Sequence, residues 1–291
     1  MADTTVLDEV GAGDHACLTF SDTEERLDLL AGFVRDGLRT GQKVVCWTDS
    51  IEPEALVDEL AARSVRPGSA LRRGQLRVAA AGQSLLASRA GAAGMVQALA
   101  GELERAGREG FPGLRVTADM GWATRPTATA DDLVGFETKV ADLFADGRLC
   151  LICQYDRDRF DAVTLAFAAR THPTTVAAPV YHEHPLLRVC RQYSPPGVRI
   201  AGELDYRHRD ILEQALAESR RLDRHMHLNL TGLDFIDAAC AAVIVSTAVA
   251  LPASRRMTVT CRRLVGTMLD LVGAVGAPRL RVRRAREHDQ P

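Results

Sequence analysis

The first half of the chain alternates short apolar segments with longer segments in which apolar residues recur every three or four positions. The apolar runs predict strands covered on both faces, and the 3.6-residue period predicts amphipathic helices. The predicted strands are residues 14–20, 43–48, 76–78, 114–120 and 149–156, and the predicted helices are residues 27–38, 54–63, 95–109, 131–143 and 160–169. Ser21, three residues before Glu24, is the expected N-cap of the first helix. Repeated strand–helix units indicate a parallel α/β sheet.

The second half repeats this alternation over a shorter length. Its predicted strands are residues 198–205, 225–230, 257–261 and 280–282, and its predicted helices are residues 209–219, 237–250 and 264–272. These elements form a small α/β sandwich of about 100 residues, a common domain size. Between the halves, residues 174–185 contain two prolines and little periodicity, which predicts a linker.

One segment of the second half combines a strand, a turn and the start of a helix. Residues 227–230 alternate in polarity, as a half-buried strand does. We expect Leu233, Phe235 and Ile236 to point inward and Asp237 to cap the following helix, whose first residues are small and apolar. Such a helix start is a surface on which a partner or a phosphate can dock.

Length, charge and composition narrow the class of protein. The 291 residues leave room for about two domains, and the net charge of −2 gives no indication of nucleic acid or an anionic membrane. No apolar run approaches the ~20 residues that span a bilayer, and the first residues lack the features of a signal peptide. We therefore expect a cytoplasmic protein. We expect a solvent-exposed edge strand near the end of the chain, whose arginines discourage pairing with another sheet. These arginines are Arg279, Arg281, Arg283, Arg284 and Arg286.

The seven cysteines are odd in number and lie within apolar runs, so we interpret them as buried small hydrophobic residues in a reducing compartment. Cys150 and Cys153 are three apart on a predicted strand and point to opposite faces, which argues against a shared metal ion. His15 and Cys17 share a face. Lining of the core is the preferred interpretation of these residues and of His172, and a metal or haem site formed by His15 and Cys17 is the alternative.

Polar and aromatic residues follow several predicted strands of the first half. Ligands bind parallel sheets beyond the carboxyl ends of the strands, so these residues predict a pocket there. Trp122 and Tyr155 would supply apolar walls with polar tips. The predicted pocket residues are His15, Cys17, Phe20, Asp119, Trp122, Glu137, Gln154 and Tyr155. Glu137, on a helix, is alternatively a structural acid.

The opening elements resemble a RecA- or KaiC-type P-loop ATPase, but the turn at residues 21–26 has neither the glycines nor the lysine that cradle phosphate. More closely, residues 9–178 resemble the MEDS sensory domain, a KaiC-derived, DcmR-like module of bacterial and archaeal regulators. The motifs are Gly13-Asp14-His15-Ala16-Cys17, Glu24-Glu25-Arg26, Gly41-Gln42-Lys43-Val44, Asp119-Met120-Gly121-Trp122, Phe136-Glu137, Cys153-Gln154-Tyr155-Asp156 and His172-Pro173. The MEDS resemblance implies a small-molecule sensor, and the missing glycines and lysine of the turn at residues 21–26 predict that ATPase activity is absent.

The second half resembles the STAS domain of anti-sigma factor antagonists. The matching motifs are Gly202-Glu203-Leu204-Asp205, Leu230-Thr231-Gly232-Leu233-Asp234-Phe235-Ile236-Asp237 and Met268-Leu269-Asp270-Leu271-Val272-Gly273. Family members carry a phosphorylated serine after the aspartate. Ala238 and Ala239 replace the hydroxyl residues here, and Cys240 replaces a glycine, so the usual switch is missing. The Cys240 thiol, in the first turn of a helix, is either a low-pKa redox group or a small residue filling the glycine site.

Together these features predict an N-terminal RecA/KaiC-like parallel α/β domain without a functional P-loop (residues 1–178), a linker (179–186), a small STAS α/β domain (187–285) and a tail (286–291). The expected function is non-enzymatic signalling through an anti-sigma factor or a GHKL-type kinase. The expected partner-binding residues are Asp205, Asp237, Ala238, Ala239 and Cys240.

Three alternatives to this function remain. The first is a haem or metal sensor that uses His15 and Cys17. The second is a nucleotide-binding enzyme in which Asp119, Glu137 and Asp156 coordinate Mg²⁺. The third is a scaffold whose second half mediates homodimerisation.

Overall fold

The computed structural model describes residues 3–87 and 90–285. The chain folds as two compact units, one ending at Ala177 and the other beginning at Ala178. Residues 286–291, predicted as a tail, lie outside the described residues. Within the described ranges, no helix is both long enough and apolar enough to cross a membrane.

The first unit is built on a parallel sheet of seven strands. The strands are β1 (Asp3–Val6), β2 (His15–Phe20), β3 (Lys43–Thr48), β4 (Leu76–Ala80), β5 (Leu114–Asp119), β6 (Leu149–Asp156) and β7 (Thr174–Ala177). Their order across the sheet is β1-β7-β2-β6-β5-β3-β4, and every pairing is parallel. The predicted parallel sheet is therefore confirmed. The sequence pattern missed β1 and β7, which are only four residues each.

Six helices cover this sheet in the part of the chain that the structure describes. They are α1 (Thr23–Arg39), α2 (Pro53–Ala62), α3 (Pro67–Arg72), α4 (Gly91–Arg108), α5 (Ala130–Lys139) and α6 (Ala162–Thr171). The N-cap of α1 is Asp22 and not Ser21, because one Asp22 oxygen accepts hydrogen bonds from the amides of Glu24 (2.8 Å) and Glu25 (3.0 Å). A carboxylate reaches the amides two and three residues after it, so the predicted N-cap was one residue too early.

The core of the first unit lies on both faces of its central strands. Strands β3 and β5 are buried at every position, as the continuous apolar runs predicted. One face packs around Trp47, Leu99 and Phe136. The other packs α1 and α2 through Leu30 and Leu60. The aromatic and acidic residues of α5 are thereby held against β6.

The second unit contains a mixed sheet of seven strands. They are β8 (Val180–His184), β9 (Leu187–Tyr193), β10 (Pro196–Leu204), β11 (Met226–Leu230), β12 (Leu233–Ile236), β13 (Met257–Cys261) and β14 (Leu280–Arg284). Their order is β14-β13-β11-β10-β9-β8, with β12 paired to β10 beyond the end of β11. The pairs β8–β9 and β9–β10 are antiparallel, and the remaining pairs are parallel.

The expected linker at residues 179–186 is wrong, because most of it forms β8. Pro179 and Pro185 flank this strand and do not interrupt it, so its backbone remains free to pair with β9. Glu183 lies opposite Arg188 in the register, and their side chains form an ion pair of 2.7 Å. Flanking prolines were therefore misread as a sign of irregular chain.

Three helices pack on this sheet among the described residues: α7 (Arg209–Leu222), α8 (Ala238–Val249) and α9 (Arg263–Leu271). Strand β14 lies at the edge of the sheet, as its arginines predicted; Arg286 lies outside the described residues. Gly202 has φ +100°, and a Cβ there would lie 2.1 Å from the carbonyl oxygen of Leu186. This backbone geometry explains why the strand–loop motif requires glycine.

The prediction that Phe235 points inward is wrong, whereas Leu233 and Ile236 are buried. The register between β10 and β12 shifts between Gly202 and Glu203, so that Gly202 pairs with Leu233 and Glu203 pairs with Phe235. This irregularity breaks simple alternation and turns Phe235 outward, where it is 50% exposed.

Candidate functional site

A buried carboxylate, Glu137, lies at the centre of the first unit's most polar interior cluster. Its Oε2 is 3.2 Å from Nε2 of His15 and 3.2 Å from Nε2 of His172. The hydroxyl of Tyr155 donates a hydrogen bond to Oε1. The thiol of Cys153 lies 3.8 Å from Oε2 and 3.6 Å from Nε2 of His15. Four side chains of three chemical types therefore converge on one carboxylate.

Four separate elements position these side chains. His15 begins β2, and Cys153 lies in β6, two residues beyond the residue that pairs with His15. Glu137 lies in α5, which covers this face of the sheet, and His172 is the residue that ends α6. Because β2 and β6 are neighbours, their alternation directs His15 and Cys153 to the same helix-covered face. Cys150 points to the other face, near Arg115, in agreement with the predicted opposition of the two cysteines.

The orientation of His172 is fixed by the backbone of α6. Its Nδ1 lies 2.8 Å from the carbonyl oxygen of Ala168. A carbonyl oxygen only accepts, so Nδ1 carries the proton of this hydrogen bond. The other nitrogen, Nε2, is fully buried, makes no hydrogen bond and faces Glu137. When the ring is neutral, Nε2 therefore presents a lone pair to the centre of the cluster.

Burial changes the acid–base behaviour of the whole cluster. Burial alone would raise the pKa of Glu137, but the interactions of its carboxylate with His172 and His15 outweigh burial, so the pKa is lowered. Burial lowers the pKa of His15. Burial, reinforced by the nearby Glu137 charge, raises the pKa values of the Cys153 thiol and the Tyr155 hydroxyl. In the absence of a bound cation, Glu137 is the anion of the cluster and Cys153 is a thiol.

Aromatic rings enclose the cluster. Phe144 stacks on the ring of His15 with their centroids 5.1 Å apart. Tyr155 meets Phe160 edge to face at 5.2 Å. The rings of His15 and His172 are only 4.1 Å apart. These apolar walls exclude water and strengthen the electrostatic interactions inside.

A second polar network lies at the carboxyl ends of the strands, centred on the buried Arg26 of α1. Its guanidinium donates to Asp119 Oδ2, Gln154 Oε1 and the Ser50 hydroxyl, each at 2.7 Å. Ser50 also donates to Asp119, through its hydroxyl (2.6 Å) and its amide (2.9 Å). Burial would raise the pKa of Asp119, but the Arg26 charge and these hydrogen bonds lower it to about 2. Phe20 packs 4.5 Å beneath the Arg26 guanidinium.

The eight predicted pocket residues thus do not form one pocket and lie in different parts of the first unit. His15, Glu137 and Tyr155 belong to the Glu137 cluster, and Asp119, Gln154 and Phe20 belong to the Arg26 network. Trp122 is buried. Cys17 is buried as well, with its sulfur 3.4 Å from the Thr175 hydroxyl. The three carboxylates proposed to hold Mg²⁺ are in separate surroundings, because Asp119 pairs with Arg26, Glu137 faces the histidines and Asp156 accepts from the amide of Asp158.

Two clefts open on the surface of the first unit. One, of about 260 Å³, lies at the carboxyl ends of β3 and β4. It is lined by Thr48, Asp49, Ile51, Glu52, Pro53, Ala80, Gly82, Gln83 and Arg125. Arg125 donates to Asp49 at 2.5 Å, and the amide of Asp49 contacts Asp119 at 3.3 Å, so this cleft adjoins the Arg26 network. The other, of about 360 Å³, is bounded by Trp47 and residues of α4.

Sequence reasoning missed Arg26, Ser50 and Asp49 as parts of the polar network, and it left Cys153 and His172 outside the predicted pocket. Arg26 carried a usable signal, because it lies three and four residues before the buried Leu29 and Leu30 and therefore on the same side of α1. Cys153 and His172 were recognised as metal-compatible residue types. Their convergence on Glu137 depends on the pairing of β2 with β6, which local sequence does not specify.

In the second unit, Asp237 caps α8 as predicted. Its Oδ1 accepts from the amide of Cys240 at 2.8 Å, and its Oδ2 accepts from the amide of Tyr206 at 2.7 Å. Ala238 and Ala239 are exposed on the first turn of α8. Asp205 is held by Arg207 and His208 beside them. The positions of the missing hydroxyls therefore face solvent.

The hypothesis of a low-pKa Cys240 thiol is wrong. Cys240 is buried, and its sulfur donates to the carbonyl oxygen of Asp205 at 3.1 Å. Burial, together with the adjacent Asp237 carboxylate, raises its pKa to about 12. All seven cysteines are buried and free, as expected of small hydrophobic residues.

Residues 14–173, which make up most of the parallel α/β unit, match the family model of the MEDS domain, the "MEthanogen/methylotroph, DcmR Sensory domain". The match covers more than half of the chain, and the protein therefore belongs to the MEDS family. Its role is accordingly that of a sensor in signalling. No curated protein matches the chain.

Several solved structures are similar to the chain at low sequence identity. A KaiC-like protein from the archaeon Pyrococcus horikoshii is 11% identical, covers 66% of this chain and 79% of its own, and has a TM-score of 0.47. The flagellar accessory protein FlaH from Methanocaldococcus jannaschii is 11% identical, with coverage of 65% and 83% and a TM-score of 0.43. An uncharacterized Pyrococcus horikoshii protein, in complex with an unknown peptide, is 12% identical, with coverage of 64% and 86% and a TM-score of 0.47.

Proposed function

We propose that this protein is a cytoplasmic, non-enzymatic signalling protein whose MEDS unit binds a small molecule and whose second unit, a STAS-like domain, binds a protein partner. The partner class that the STAS resemblance implies is an anti-sigma factor or a GHKL-type kinase. The observation that carries this proposal is the surface around the start of α8. There, Asp237 keeps the helix cap, while the two alanines beside it are exposed.

Apolar side chains extend this surface. Tyr206, whose amide is bonded to Asp237, is 69% exposed, and Phe235 is turned outward two residues before the cap. Arg262 donates to Asp234 at 2.8 Å, which anchors the start of α9 next to this region. We name Tyr206, Phe235, Ala238 and Ala239 the α8 docking surface. Exposed aromatic residues are enriched at protein–protein contacts.

Without a hydroxyl at residues 238 and 239, this surface is not switched by phosphorylation there. Regulation in our proposal therefore comes from the MEDS unit. A ligand transmits a signal only if it binds two conformations of the protein with different affinities. The ligand site that we propose is the cleft at the carboxyl ends of β3 and β4, where the half-exposed guanidinium of Arg125, paired with Asp49, whose side chain is buried, offers a charged group to a small polar molecule.

The test of the docking surface compares two substitutions at opposite ends of α8. Phe235 and Val249 are equally exposed, at 50% each. Tagged wild-type protein, Phe235→Glu and Val249→Glu are purified from the organism that encodes the chain, and bound proteins are identified by mass spectrometry. We expect an anti-sigma factor or GHKL-type kinase with the wild type and with Val249→Glu, and its loss with Phe235→Glu. Recovery of the chain alone, or equal recovery by both variants, contradicts the proposal and favours a scaffold.

The test of the ligand site is native mass spectrometry of the same preparations. We expect an added small-molecule mass on the wild type and on Arg39→Ala, whose side chain is exposed on α1, and its loss from Arg125→Ala. An added mass that persists in Arg125→Ala contradicts this assignment of the cleft.

The non-enzymatic part of the proposal is supported by the first turn of α1. Asp22 accepts from two of its amides, and the Arg26 side chain is engaged with Asp119. A carboxylate at this position repels phosphate. Adding ATP and Mg²⁺ is therefore expected to leave the melting temperature unchanged, whereas a concentration-dependent rise would establish nucleotide binding to the folded state and contradict this part.

A further inference from the structure

We propose that His15, Glu137, Cys153 and His172 form a closed, tetrahedral binding site for a divalent metal ion, with zinc as the ion that their donor atoms favour. The four residues offer two imidazole nitrogens, one carboxylate oxygen and one sulfur, and these atoms all lie within 4.8 Å of one another. This site differs from the His15–Cys17 pair that the sequence suggested, because Cys17 contacts Thr175 and Cys153 takes its place.

The spacing of the donor atoms matches a tetrahedral shell. Zinc bonds of about 2.0–2.3 Å to nitrogen, oxygen and sulfur place tetrahedral ligand atoms about 3.3–3.6 Å apart. Oε2 of Glu137 lies 3.2 Å from Nε2 of both His15 and His172. The sulfur of Cys153 lies 3.6 Å from His15 Nε2 and 3.8 Å from Glu137 Oε2. The side chains thus need only small shifts to surround one ion.

Hydrogen bonds to neighbouring groups orient two of the four proposed ligands. His172 donates from Nδ1 to the Ala168 carbonyl, which leaves the Nε2 lone pair aimed at the cluster without a hydrogen bond. Tyr155 occupies Oε1 of Glu137 and leaves Oε2 for the ion. Metal-binding histidines and carboxylates are oriented by such outer contacts. With the ring neutral, this lone pair faces a carboxylate oxygen at 3.2 Å, a repulsive contact that either a proton on Nε2 or a metal ion between the two atoms relieves.

The donor set and the charge balance favour zinc. Magnesium and calcium prefer oxygen ligands, whereas two imidazoles, one thiolate and one carboxylate suit zinc. On binding, the Cys153 thiol releases its proton to solvent and the thiolate joins the Glu137 carboxylate, so two negative charges balance the dication. The resulting centre is neutral overall, which suits a site whose four residues are all buried.

The site is closed, because all four positions of the tetrahedron are taken by protein atoms. Closed zinc sites are structural, whereas catalytic sites keep one position for water or substrate. The four ligands come from β2, β6, α5 and the end of α6. The ion would therefore hold these four elements together in the interior of the first unit.

The test measures metal content and coordination in the full-length protein. Purified wild-type protein is treated with excess zinc sulfate and dialysed, and its metal content is measured by inductively coupled plasma mass spectrometry. We expect about one zinc ion per chain. The variant Cys153→Ser is expected to retain less than about a tenth of that amount. Cys150→Ser is the matched control, since Cys150 is also buried in β6 but points to the opposite face. We expect it to bind zinc as the wild type does.

Two further measurements keep the proposal falsifiable if Cys153→Ser does not fold. X-ray absorption at the zinc edge of the wild type should show one sulfur and three nitrogen or oxygen neighbours. Tyr155→Phe, which removes only the hydroxyl bonded to Glu137, should weaken zinc about 10- to 100-fold in competition with a chelator. A folded wild type that retains no stoichiometric zinc, a zinc shell without sulfur, or equal zinc loss in Cys150→Ser and Cys153→Ser would each overturn the proposal.

Discussion

The Glu137 cluster and the α8 docking surface use similar residue types in opposite ways. In the first unit, a carboxylate is fully enclosed and contacts two histidines, a tyrosine and a cysteine. In the second unit, Asp237 is accessible and contacts backbone amides, with exposed apolar groups around it. A buried charge affects stability strongly because water cannot replace its partners, whereas an accessible one can exchange partners. The comparison separates a region that holds the fold together from a region available for contact.

The largest effect is expected from Glu137→Ala. This change removes the acceptor of the Tyr155 hydroxyl and the anion that faces two buried imidazoles, and breaking a buried charged network in this way costs about 3–5 kcal/mol. Urea denaturation followed by circular dichroism measures the loss. Glu104→Ala, on the exposed face of α4, is the control and should change stability little. Equal stability of the two variants would show that the cluster does not support the fold.

An intermediate and pH-dependent effect is expected from Asp119→Asn. The folded-state pKa of Asp119 is lowered to about 2, so its ionised form stabilises the protein above the unfolded pKa of about 4. That stabilisation, of order 2 kcal/mol, is lost as the pH falls from about 4 to about 2. Denaturation measured across this window should show a shallower pH dependence for Asp119→Asn than for the wild type. The exposed Asp131→Asn should keep the wild-type slope.

The smallest effect is expected at Asp237. Asp237→Ala removes the acceptor for the amides of Cys240 and Tyr206, and loss of a helix N-cap costs about 1 kcal/mol. Asp237→Asn keeps one carbonyl oxygen for the Cys240 amide and should therefore lose less stability than Asp237→Ala. Thermal unfolding of the two variants beside the wild type gives this ranking. A loss as large as that of Glu137→Ala would remove the distinction between the two regions.

The sequence predicted the elements of both units better than their contacts. Continuous apolar runs identified β3, β5 and β6, because strands buried on both faces leave a strong signal. The four-residue strands β1, β7 and β12 were missed, since so few residues show no clear period. β8 was missed because prolines flank it.

The candidate sites were only partly predictable for a related reason. The Asp237 cap depends on residues three positions apart, and local pattern was sufficient to predict it. The contact between His15 and His172 joins residues far apart in sequence, and it depends on which strands become neighbours. Arg26 was overlooked because a charged side chain becomes buried only when its partners, Asp119 and Gln154, arrive from other strands.

The position of β7 has a consequence for how the first unit is made on the ribosome. β7 lies between β1 and β2, so among the described residues β1, the first strand of the unit, pairs with β7, the last one, and with no other strand. The backbone groups of residues 3–6 therefore have no strand to pair with until residues 174–177 have been synthesised. The sheet is completed when β7, the last of its strands to be synthesised, pairs with β1, the first. Long-range pairing of this kind is slow to form, so the N-terminal strand is the last to be secured during biosynthesis.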